Sequence, residues 1–548
     1  MTPSTATASP VAAATPSAGN VRRIEIYDTT LRDGTQGEGV AFSQLDKVRI
    51  AHRLDELGVD YIEGGYPLSN PKDVAFFEAA KSERFAHARL CAFGMTRRKG
   101  VAAADDPGMK ALVAARTPVI TIVGKTWDLH VDEVLRVSRQ ENLDMIRESV
   151  AFCAQEREVF YDAEHFFDGY RANAEYAMQT LAAAVDGGAT RLVLCDTNGG
   201  SWMEHVRAAT AAVVAKFPGV GVGIHVHNDG GLAVANSLVA LDAGASHVQG
   251  TINGIGERCG NVDLTTIIAH LLLKTGGAMT CLRDPGQLQH LTELARYVYE
   301  LANMNLSANQ PYVGTGAFGH KGGMHVHAVQ RIAHSYEHVP PDSVGNTRRV
   351  LVSELSGASN IAATLGTKFA AVAQDRDVQR RVLERVMELE NQGYQFESAL
   401  GSFELILHDV LGTRPRFWEL DHYRCVILRR NGEPAQTEAT VKLVVNGVTE
   451  HHVAEGDGPV NALDGALRKC LAAHYPTIAQ VHLTDYKVRV VNPTAESAAK
   501  VRVVADFSAP HGQTRRSFGT LGVSENIVDA SWQALTDALT HHLIESAA

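Results

Sequence analysis

Eight short apolar runs, each typical of a β-strand, recur through the first half of this 548-residue chain. Helix-length segments separate them, and successive runs begin roughly 25 to 40 residues apart, as strands and helices do in an α/β barrel. The runs are Ile24–Tyr27, Tyr61–Glu63, Leu90–Phe93, Val119–Val123, Glu158–Tyr161, Arg191–Cys195, Val222–Val226 and Val248–Ile252. This alternation predicts a (β/α)8 TIM barrel over residues 21–275.

Polar residues follow these runs at the carboxyl ends of the strands, where such barrels carry their chemistry. Arg32 and Asp33 follow the first run, Glu164 follows the fifth, and His225 and His227 end the seventh. Residues two apart in a strand face the same side, so the two histidines can converge on one ion. Asp33 adds an oxygen ligand, and Arg32 adds a planar cation for an oxyanion. We therefore expect divalent-metal enolate or carbonyl chemistry. A solvated loop charge remains an equally good interpretation of Glu164 alone.

Beyond the barrel the sequence pattern changes twice. Residues 276–401 are mainly helical in pattern, with a glycine-rich loop, Gly314–His327, in which both a proton-transfer role and a surface role stay open for His325. From residue 402 strand patterns return, beginning with Phe403–Leu407, and strands followed by a helix occur twice. The further strand candidates are Tyr423–Leu428, Thr440–Val445, Val481–Val490 and Val501–Phe507. The layout predicts a C-terminal α+β domain over 402–548, although no sequence repeat supports a duplication.

Composition limits the class of protein. The net charge is −11 and no block of lysine or arginine occurs, which argues against a nucleic acid partner. No apolar run reaches the roughly 20 residues needed to span a bilayer, so we expect no membrane partner. The seven cysteines are scattered without a C-x-x-C pair, which favours a reducing, cytoplasmic location. Residues 1–20 are rich in Ala, Pro, Ser and Thr and predict a disordered tail, with a plastid transit peptide as the alternative.

Three motifs together carry a family resemblance: Asp28–Gly34, His225–Asp229 and Gly254–Asn261. They resemble the Claisen-condensing synthases of the metal-dependent barrel superfamily, which include the 2-isopropylmalate, homocitrate and citramalate synthases. The resemblance runs from about residue 22 to the C-terminus. Further segments resemble the citramalate-forming branch, and these are Gly124–Val131, Phe160–Tyr170, Gly314–His327, Leu483–Arg489 and Asn526–Trp532.

The resemblance implies roles for particular residues. Asp33, His225 and His227 match the family's metal ligands, and Asn261 matches a weaker fourth ligand. Arg32 matches the family's catalytic arginine, Glu164 matches a carboxylate at the reacting centre, and Thr197 matches the threonine that binds the 2-oxo acid carboxylate. His325 and Tyr336 match a catalytic pair. In the family that pair reaches the barrel of the partner subunit, so a homodimer is implied. The ligand types suit Zn, Mn or Mg equally.

The resemblance also implies an activity. The expected enzyme is an acyltransferase that condenses acetyl-CoA with pyruvate and hydrolyses the thioester to citramalate, for isoleucine biosynthesis. His325 is the first choice for the base and Glu164 the second. The C-terminal domain is expected to be regulatory, with isoleucine as feedback inhibitor. Two alternatives remain open: a 2-isopropylmalate synthase that uses 2-oxoisovalerate, and a non-catalytic amino-acid sensor.

Overall fold

The structure, a computed structural model, describes residues 21–350, 375–396, 399–491, 499–511 and 514–547. These residues form two compact units. The first contains the described residues up to Phe318 together with Val339–Thr347, and the second contains Gly319–His338 and the described residues from Arg348 onward. The predicted helical region 276–401 thus contributes to both units. The predicted disordered tail, residues 1–20, lies outside the described residues.

Eight parallel strands of the first unit close into a barrel, which confirms the predicted fold. They are β1 Glu25–Asp28, β2 Tyr61–Gly65, β3 Arg89–Met95, β4 Val119–Lys125, β5 Glu158–Glu164, β6 Arg191–Asp196, β7 Gly221–Val226 and β8 His247–Gly250. Each strand pairs with its neighbour in sequence, and β1 pairs with β8 to close the barrel, with Tyr27 opposite Gln249. The last strand is shorter than predicted, because a 3-10 turn begins at Ile252.

Helices alternate with these strands. They are α1 Gln44–Leu57, α2 Pro71–Ala80, α3 Pro107–Ala114, α4 Arg139–Ala154, α5 Phe166–Ala172, α6 Ala174–Gly187, α7 Met203–Lys216, α8 Ala233–Asp242, α9 Leu264–Lys274 and α10 Leu291–Leu301. The sequence fixes the ends of α1: Ser43 and Asp46 form a reciprocal capping box at its start, and Gly58 ends it with a φ of +91°. No helix in the described part of the chain is long and apolar enough to cross a membrane.

The barrel interior is filled in layers, because alternate residues of each strand point inward. Tyr27 of β1 and Phe160 of β5 lie on opposite sides of the barrel, yet their ring centroids are 6.2 Å apart. His247 of β8 also contacts Tyr27, at 5.4 Å between ring centroids. These rings form one layer across the barrel interior. Residues two positions further along each strand form the next layer toward the barrel mouth. Asp162 and Gln249 are the first such residues on β5 and β8. The alternation of side chains along each strand therefore determines which of them face the barrel mouth.

The second unit contains two three-stranded antiparallel sheets, each followed by a helix. The first sheet is β9 Glu419–Leu428, β10 Gln436–Val445 and β11 Val448–Gly456; the second is β12 His482–Val490, β13 Val501–His511 and β14 Thr514–Ser524. The α-helices among the described residues of this unit are α11 Gly323–Arg331, α12 Arg376–Asn391, α13 Leu400–Leu411, α14 Pro459–Leu471 and α15 Ile527–Ala547. The predicted C-terminal α+β layout is confirmed, while β11 and β14 were not predicted.

One predicted strand is wrong. Phe403–Leu407 lies inside α13, which ends at Gly412 with a φ of +70°. The buried side chains Phe403, Ile406 and Leu407 recur at helical spacing and pack in one apolar cluster with Val382 and Val386 of α12. A short run of apolar residues fits a strand as well as a buried helix face, and here the α12 contact decides the outcome.

Candidate active site

Asp33, His225 and His227 meet at the mouth of the barrel. Nε2 of His225 lies 3.4 Å from Nε2 of His227 and 3.2 Å from Oδ2 of Asp33. The distance from Nε2 of His227 to the same carboxylate oxygen is 3.9 Å. All three side chains are buried, and their ligand atoms lie within 4.8 Å of one another. Two imidazole nitrogens and one carboxylate oxygen make a donor set that suits a divalent metal ion.

The orientation of His225 supports this assignment. Its Nδ1 lies 2.9 Å from Oε1 of Gln249, so the ring donates its Nδ1–H there and directs Nε2 toward His227 and Asp33. Gln249 is itself oriented, because its Nε2 donates to Oδ1 of Asp162 at 3.0 Å. Two imidazole nitrogens that face each other at 3.4 Å repel unless a proton or a cation lies between them. The residues therefore fit a metal ion.

Electrostatics favour the ligand forms of Asp33 and His227. Burial lowers the pKa of His225, but Asp33 outweighs burial and raises it, so a metal ion there would displace a proton. Burial raises the pKa of Asp33, but Arg32 and His225 outweigh it and hold the pKa of the carboxyl well below its usual range. Burial, together with the charge of His225, lowers the pKa of His227 to about 4. At neutral pH Asp33 is ionised and His227 is neutral, as metal ligation requires.

Asn261 lies beside this cluster on the loop after β8. It forms an antiparallel bridge with His227, and its Nδ2 donates to the carbonyl of Ile255 at 3.2 Å. Its buried Oδ1 has no hydrogen-bond partner among the described residues, so one more oxygen donor is available. Gly260 makes the tight turn possible: its φ is +83°, and a Cβ there would lie 2.0 Å from the carbonyl oxygen of Gly254.

Arg32 is held in place on three sides. Its Nε donates to Oε2 of Glu63 at 2.5 Å, one terminal nitrogen lies 3.3 Å from Oδ1 of Asp33, and its guanidinium carbon lies 3.8 Å from the ring centroid of Phe93. Burial lowers the pKa of Arg32, but Asp33 and Glu63 more than offset this, so its pKa stays above the usual value. The site therefore contains a fixed positive charge directly beside the carboxylate of Asp33.

Glu63 is a buried residue beside the site to which the sequence interpretation gave no chemical role. It is fully buried and accepts hydrogen bonds from the hydroxyls of Tyr27 at 2.6 Å and Thr29 at 2.5 Å, besides that from Arg32. An available signal was its position: a glutamate that ends an otherwise apolar buried strand needs a partner. Glu63 is a positioning residue, since it acts on the site through Arg32.

These groups open onto a cavity of about 250 Å³. Most of its lining consists of residue pairs that lie two positions apart at the ends of neighbouring strands. The pairs are Phe93 and Met95, Val123 and Lys125, Asp162 and Glu164, Cys195 and Thr197, and His225 and His227. Lys125 of β4 lies opposite Glu164 of β5 in the strand register and forms an ion pair with it. Oγ1 of Thr197 accepts a hydrogen bond from the backbone N–H of His165 at 2.8 Å. The cavity thus joins a cation-binding cluster to polar groups suited to a small acid.

His325 and Tyr336 belong to the second unit. His325 lies in α11 and not in a loop, as its glycine-rich surroundings had suggested. Its ring stacks on that of Tyr336 with centroids 4.2 Å apart, and both side chains are exposed. Glu337 holds this segment together, because it accepts hydrogen bonds from His320 at 3.1 Å and from Arg348 at 2.6 Å. The two rings form one exposed, stacked pair that is accessible to another protein surface.

Comparison with known families defines the class of protein. The sequence matches the HMGL-like family over residues 23–298, the homocitrate synthase post-HMGL domain-like family over 312–393 and the LeuA allosteric (dimerisation) domain over 398–543. Together with the barrel and its cluster of Asp33, His225 and His227, these matches make the chain a condensing enzyme of the acyltransferase type.

Sequence identity to individual relatives shows which family within this class the chain belongs to. The chain is 50% identical over 530 residues to the (R)-citramalate synthase of Geobacter sulfurreducens, covering 95% of this chain and 98% of the relative. It is 47% identical over 525 residues to the (R)-citramalate synthase of Aquifex aeolicus, with coverage of 95% and 98%. A probable 2-isopropylmalate synthase of Methanopyrus kandleri is 31% identical over 513 residues, with coverage of 93% and 97%. The chain belongs to the (R)-citramalate synthase family.

The orientation of His225 can be tested without an activity assay. Gln249→Leu removes the acceptor that fixes the imidazole, so we expect affinity for Mn²⁺ or Zn²⁺ to fall about 10- to 100-fold. Titration of metal-stripped protein against a chelating dye measures this. Gln289→Leu, at an exposed glutamine, is the matched control and should bind like the wild type. Equal affinity in the Gln249 variant would show that the amide does not orient the ligand.

Proposed function

We propose that this chain catalyses the condensation of acetyl-CoA with pyruvate, followed by thioester hydrolysis, to give (R)-citramalate and CoA. The observation that carries the proposal is the convergence of Asp33, His225 and His227 beside Arg32, in a chain up to 50% identical to enzymes of that name. The cavity of about 250 Å³ is large enough to hold a small 2-oxo acid.

The metal centre is assigned to Asp33, His225 and His227, with Asn261 as a fourth, weaker ligand. A divalent ion there, Mn, Mg or Zn, would polarise the keto group of the 2-oxo acid as a Lewis acid. Arg32 stabilises the alkoxide that develops on the same oxygen, because its charge is already fixed beside Asp33.

Thr197 is proposed to bind the substrate carboxylate. Since its Oγ1 already accepts the N–H of His165, its own hydroxyl hydrogen is directed elsewhere and can be donated to a carboxylate in the cavity. Lys125 adds a positive charge to the same wall, although Glu164 is its direct partner. Together these groups orient a small 2-oxo acid with its keto carbon exposed.

A base must remove a proton from the methyl group of acetyl-CoA, so that the enolate can attack the keto carbon. We assign this role to His325, polarised by Tyr336, with Glu164 as the second candidate. The ion pair with Lys125 supports this order, because it already engages the carboxylate of Glu164. Water then hydrolyses the thioester, which makes the overall reaction irreversible.

The enzyme is proposed to be a cytoplasmic homodimer in which His325 and Tyr336 serve the barrel of the partner subunit. The exposed stacked pair and the match to a dimerisation domain support this arrangement. A C2 dimer of this kind would contain two equivalent composite sites.

Substrate choice tests the function directly. Thiol release from acetyl-CoA, measured across a panel of 2-oxo acids, should give pyruvate the highest kcat/KM. Asp33→Ala should lower kcat by about 10³-fold, since it removes several kcal/mol of transition-state stabilisation. Asp105→Ala, at an exposed aspartate, serves as the control. A tenfold preference for 2-oxoisovalerate would indicate a 2-isopropylmalate synthase, and no thiol release with any acid would favour the amino-acid sensor.

Mixing two inactive variants tests the shared site. In a heterodimer of Asp33→Ala and His325→Ala subunits, one site combines an intact barrel with an intact histidine. Random exchange makes about half of the dimers mixed, so we expect about a quarter of wild-type activity to return. Native mass spectrometry confirms the heterodimers. If they form and activity does not return, each site is built within one chain.

The C-terminal domain is proposed to bind isoleucine as feedback inhibitor. A cavity of about 820 Å³ lies at the start of α14, lined by Glu438, Glu455, Asp457 and Asn461 among others. The helix N-terminus there favours a carboxylate, and the acidic side chains favour an ammonium group. An amino acid carries both groups, so the cavity suits one end of an amino acid better than a simple acid.

Inhibition by isoleucine should be at least about tenfold stronger than inhibition by leucine or valine. A pocket shaped for the isoleucine side chain would place the branch of leucine wrongly and leave a gap with valine, and each such mismatch costs about 1–3 kcal/mol. Glu455→Ala should relieve the inhibition, whereas Glu419→Ala, an exposed glutamate of the same sheet, should not. Inhibitor titrations of thiol release measure both effects. Insensitivity of the wild type to isoleucine contradicts the assignment, and stronger inhibition by leucine favours a leucine-pathway enzyme.

A further inference from the structure

His165 has an unusual backbone conformation for a residue with a side chain. It lies between the end of β5 and the start of α5, and its φ is +56° and its ψ +33°. This left-handed conformation costs free energy in any residue that has a Cβ, so it persists only where the surrounding contacts enforce it. A strained residue next to a candidate active site therefore calls for an account of what holds it and what it positions.

The side chain of His165 supplies the contacts that hold this backbone. Its ring lies against that of His130, with centroids 4.3 Å apart, and beside that of Trp127, at 5.7 Å. Its Nδ1 lies 3.4 Å from Oδ2 of Asp168 in α5. The residue is buried. The imidazole is thus held by the segment after β4 on one side and by α5 on the other.

The backbone N–H of His165 points to the segment after β6. It donates to Oγ1 of Thr197 at 2.8 Å. The carbonyl oxygen of Thr197 accepts a second hydrogen bond, from Nη2 of Arg258 at 2.7 Å. The next residue, Asn198, donates to Oδ2 of Asp168 at 2.9 Å, which is the carboxylate oxygen that also faces His165. His165 and Thr197 therefore belong to one closed set of contacts between the ends of β5 and β6.

These contacts affect the active-site cavity from behind its wall. Among the described residues, Thr197 lines the cavity of about 250 Å³ and His165 does not. A hydroxyl group carries one proton and two acceptor lone pairs, so a donor fixed on one lone pair restricts the directions in which the O–H can point. If His165 relaxed to a negative φ, its N–H would turn away from Thr197 and the hydroxyl would rotate freely.

We propose that His165 is a positioning residue, whose left-handed backbone, held by its own ring, aims the Thr197 hydroxyl at the carboxylate of the 2-oxo acid. The contacts of the ring with His130 and Asp168 offset the strain of the backbone. The hydroxyl then meets the acid in a fixed direction, so little conformational freedom is lost on binding. The assignment rests on the proposed function, in which Thr197 binds that carboxylate.

Two substitutions separate the ring of His165 from its backbone. His165→Ala removes the ring but keeps a Cβ, so the strained conformation loses its support. The KM for pyruvate should rise about tenfold while kcat stays within about threefold, because a hydrogen bond made equally in the ground and transition states is weakened. His165→Gly also removes the ring, but glycine adopts a φ of this sign without strain, so its KM should stay within about threefold of the wild type. Steady-state thiol release measures both variants.

Equal rises in KM for the alanine and glycine variants would overturn the proposal, because the ring and not the backbone would then matter. An unchanged KM in His165→Ala would also overturn it. Arg116→Ala is the matched control: Arg116 has the same φ of +56°, but it is exposed and precedes the amino end of β4.

A double-mutant cycle with Thr197 excludes a general structural effect. In a Thr197→Val background the hydroxyl is already absent, so adding His165→Ala should raise the KM for pyruvate by less than about twofold. An equally large rise in both backgrounds would show that His165 acts independently of Thr197, which would overturn the proposal.

Calorimetry with pyruvate, in the presence of Mn²⁺, separates this proposal from the proposed function. The wild type and His165→Gly should bind pyruvate similarly, and His165→Ala should bind it about tenfold more weakly. If this pattern appears without thiol release from acetyl-CoA, the proposed reaction fails while the positioning role holds. If thiol is released with pyruvate and all three proteins bind pyruvate equally, the positioning role fails alone. Absence of pyruvate binding in all three proteins would overturn both.

Discussion

The active site depends on one buried charge, the guanidinium of Arg32. Removing such a group from water costs several kcal/mol unless partners compensate. Glu63 and Asp33 supply that compensation, at 2.5 and 3.3 Å. Asp33 serves two purposes, because its Oδ1 faces Arg32 while its Oδ2 faces His225. The guanidinium of Arg32 and the imidazole of His225 thereby face opposite oxygens of a single carboxylate, so in the proposed reaction both would lie beside the same substrate oxygen.

The sequence alone predicted those features of the site that depend on the periodicity of single strands. Strand spacing predicted the barrel, and the period of two predicted that His225 and His227 share a face. The same period places Asp162 with Glu164 and Cys195 with Thr197 on the cavity wall. These features depend on backbone geometry that each strand imposes by itself, so neighbouring residues are enough to predict them.

Other features depend on contacts between distant residues and were not predicted. The role of Glu63 requires Tyr27, Thr29 and Arg32 to meet it across two strands. The helical state of Phe403–Leu407 depends on packing against α12. The cavity lined by Leu68, Arg98 and Val134 combines segments that follow β2, β3 and β4, and no single segment of sequence shows that these residues share a wall.

In the proposed reaction, Glu63 holds Arg32 ready to stabilise the alkoxide. The most direct test is kcat for thiol release with pyruvate in Glu63→Gln, with Glu56→Gln, at an exposed glutamate of α1, as control. Glutamine keeps the shape but removes the negative charge, so the variant loses a charge-assisted hydrogen bond of about 1.5–3 kcal/mol. The account predicts that kcat falls about 10- to 100-fold while metal affinity is unchanged. A kcat within twofold of the wild type would contradict it.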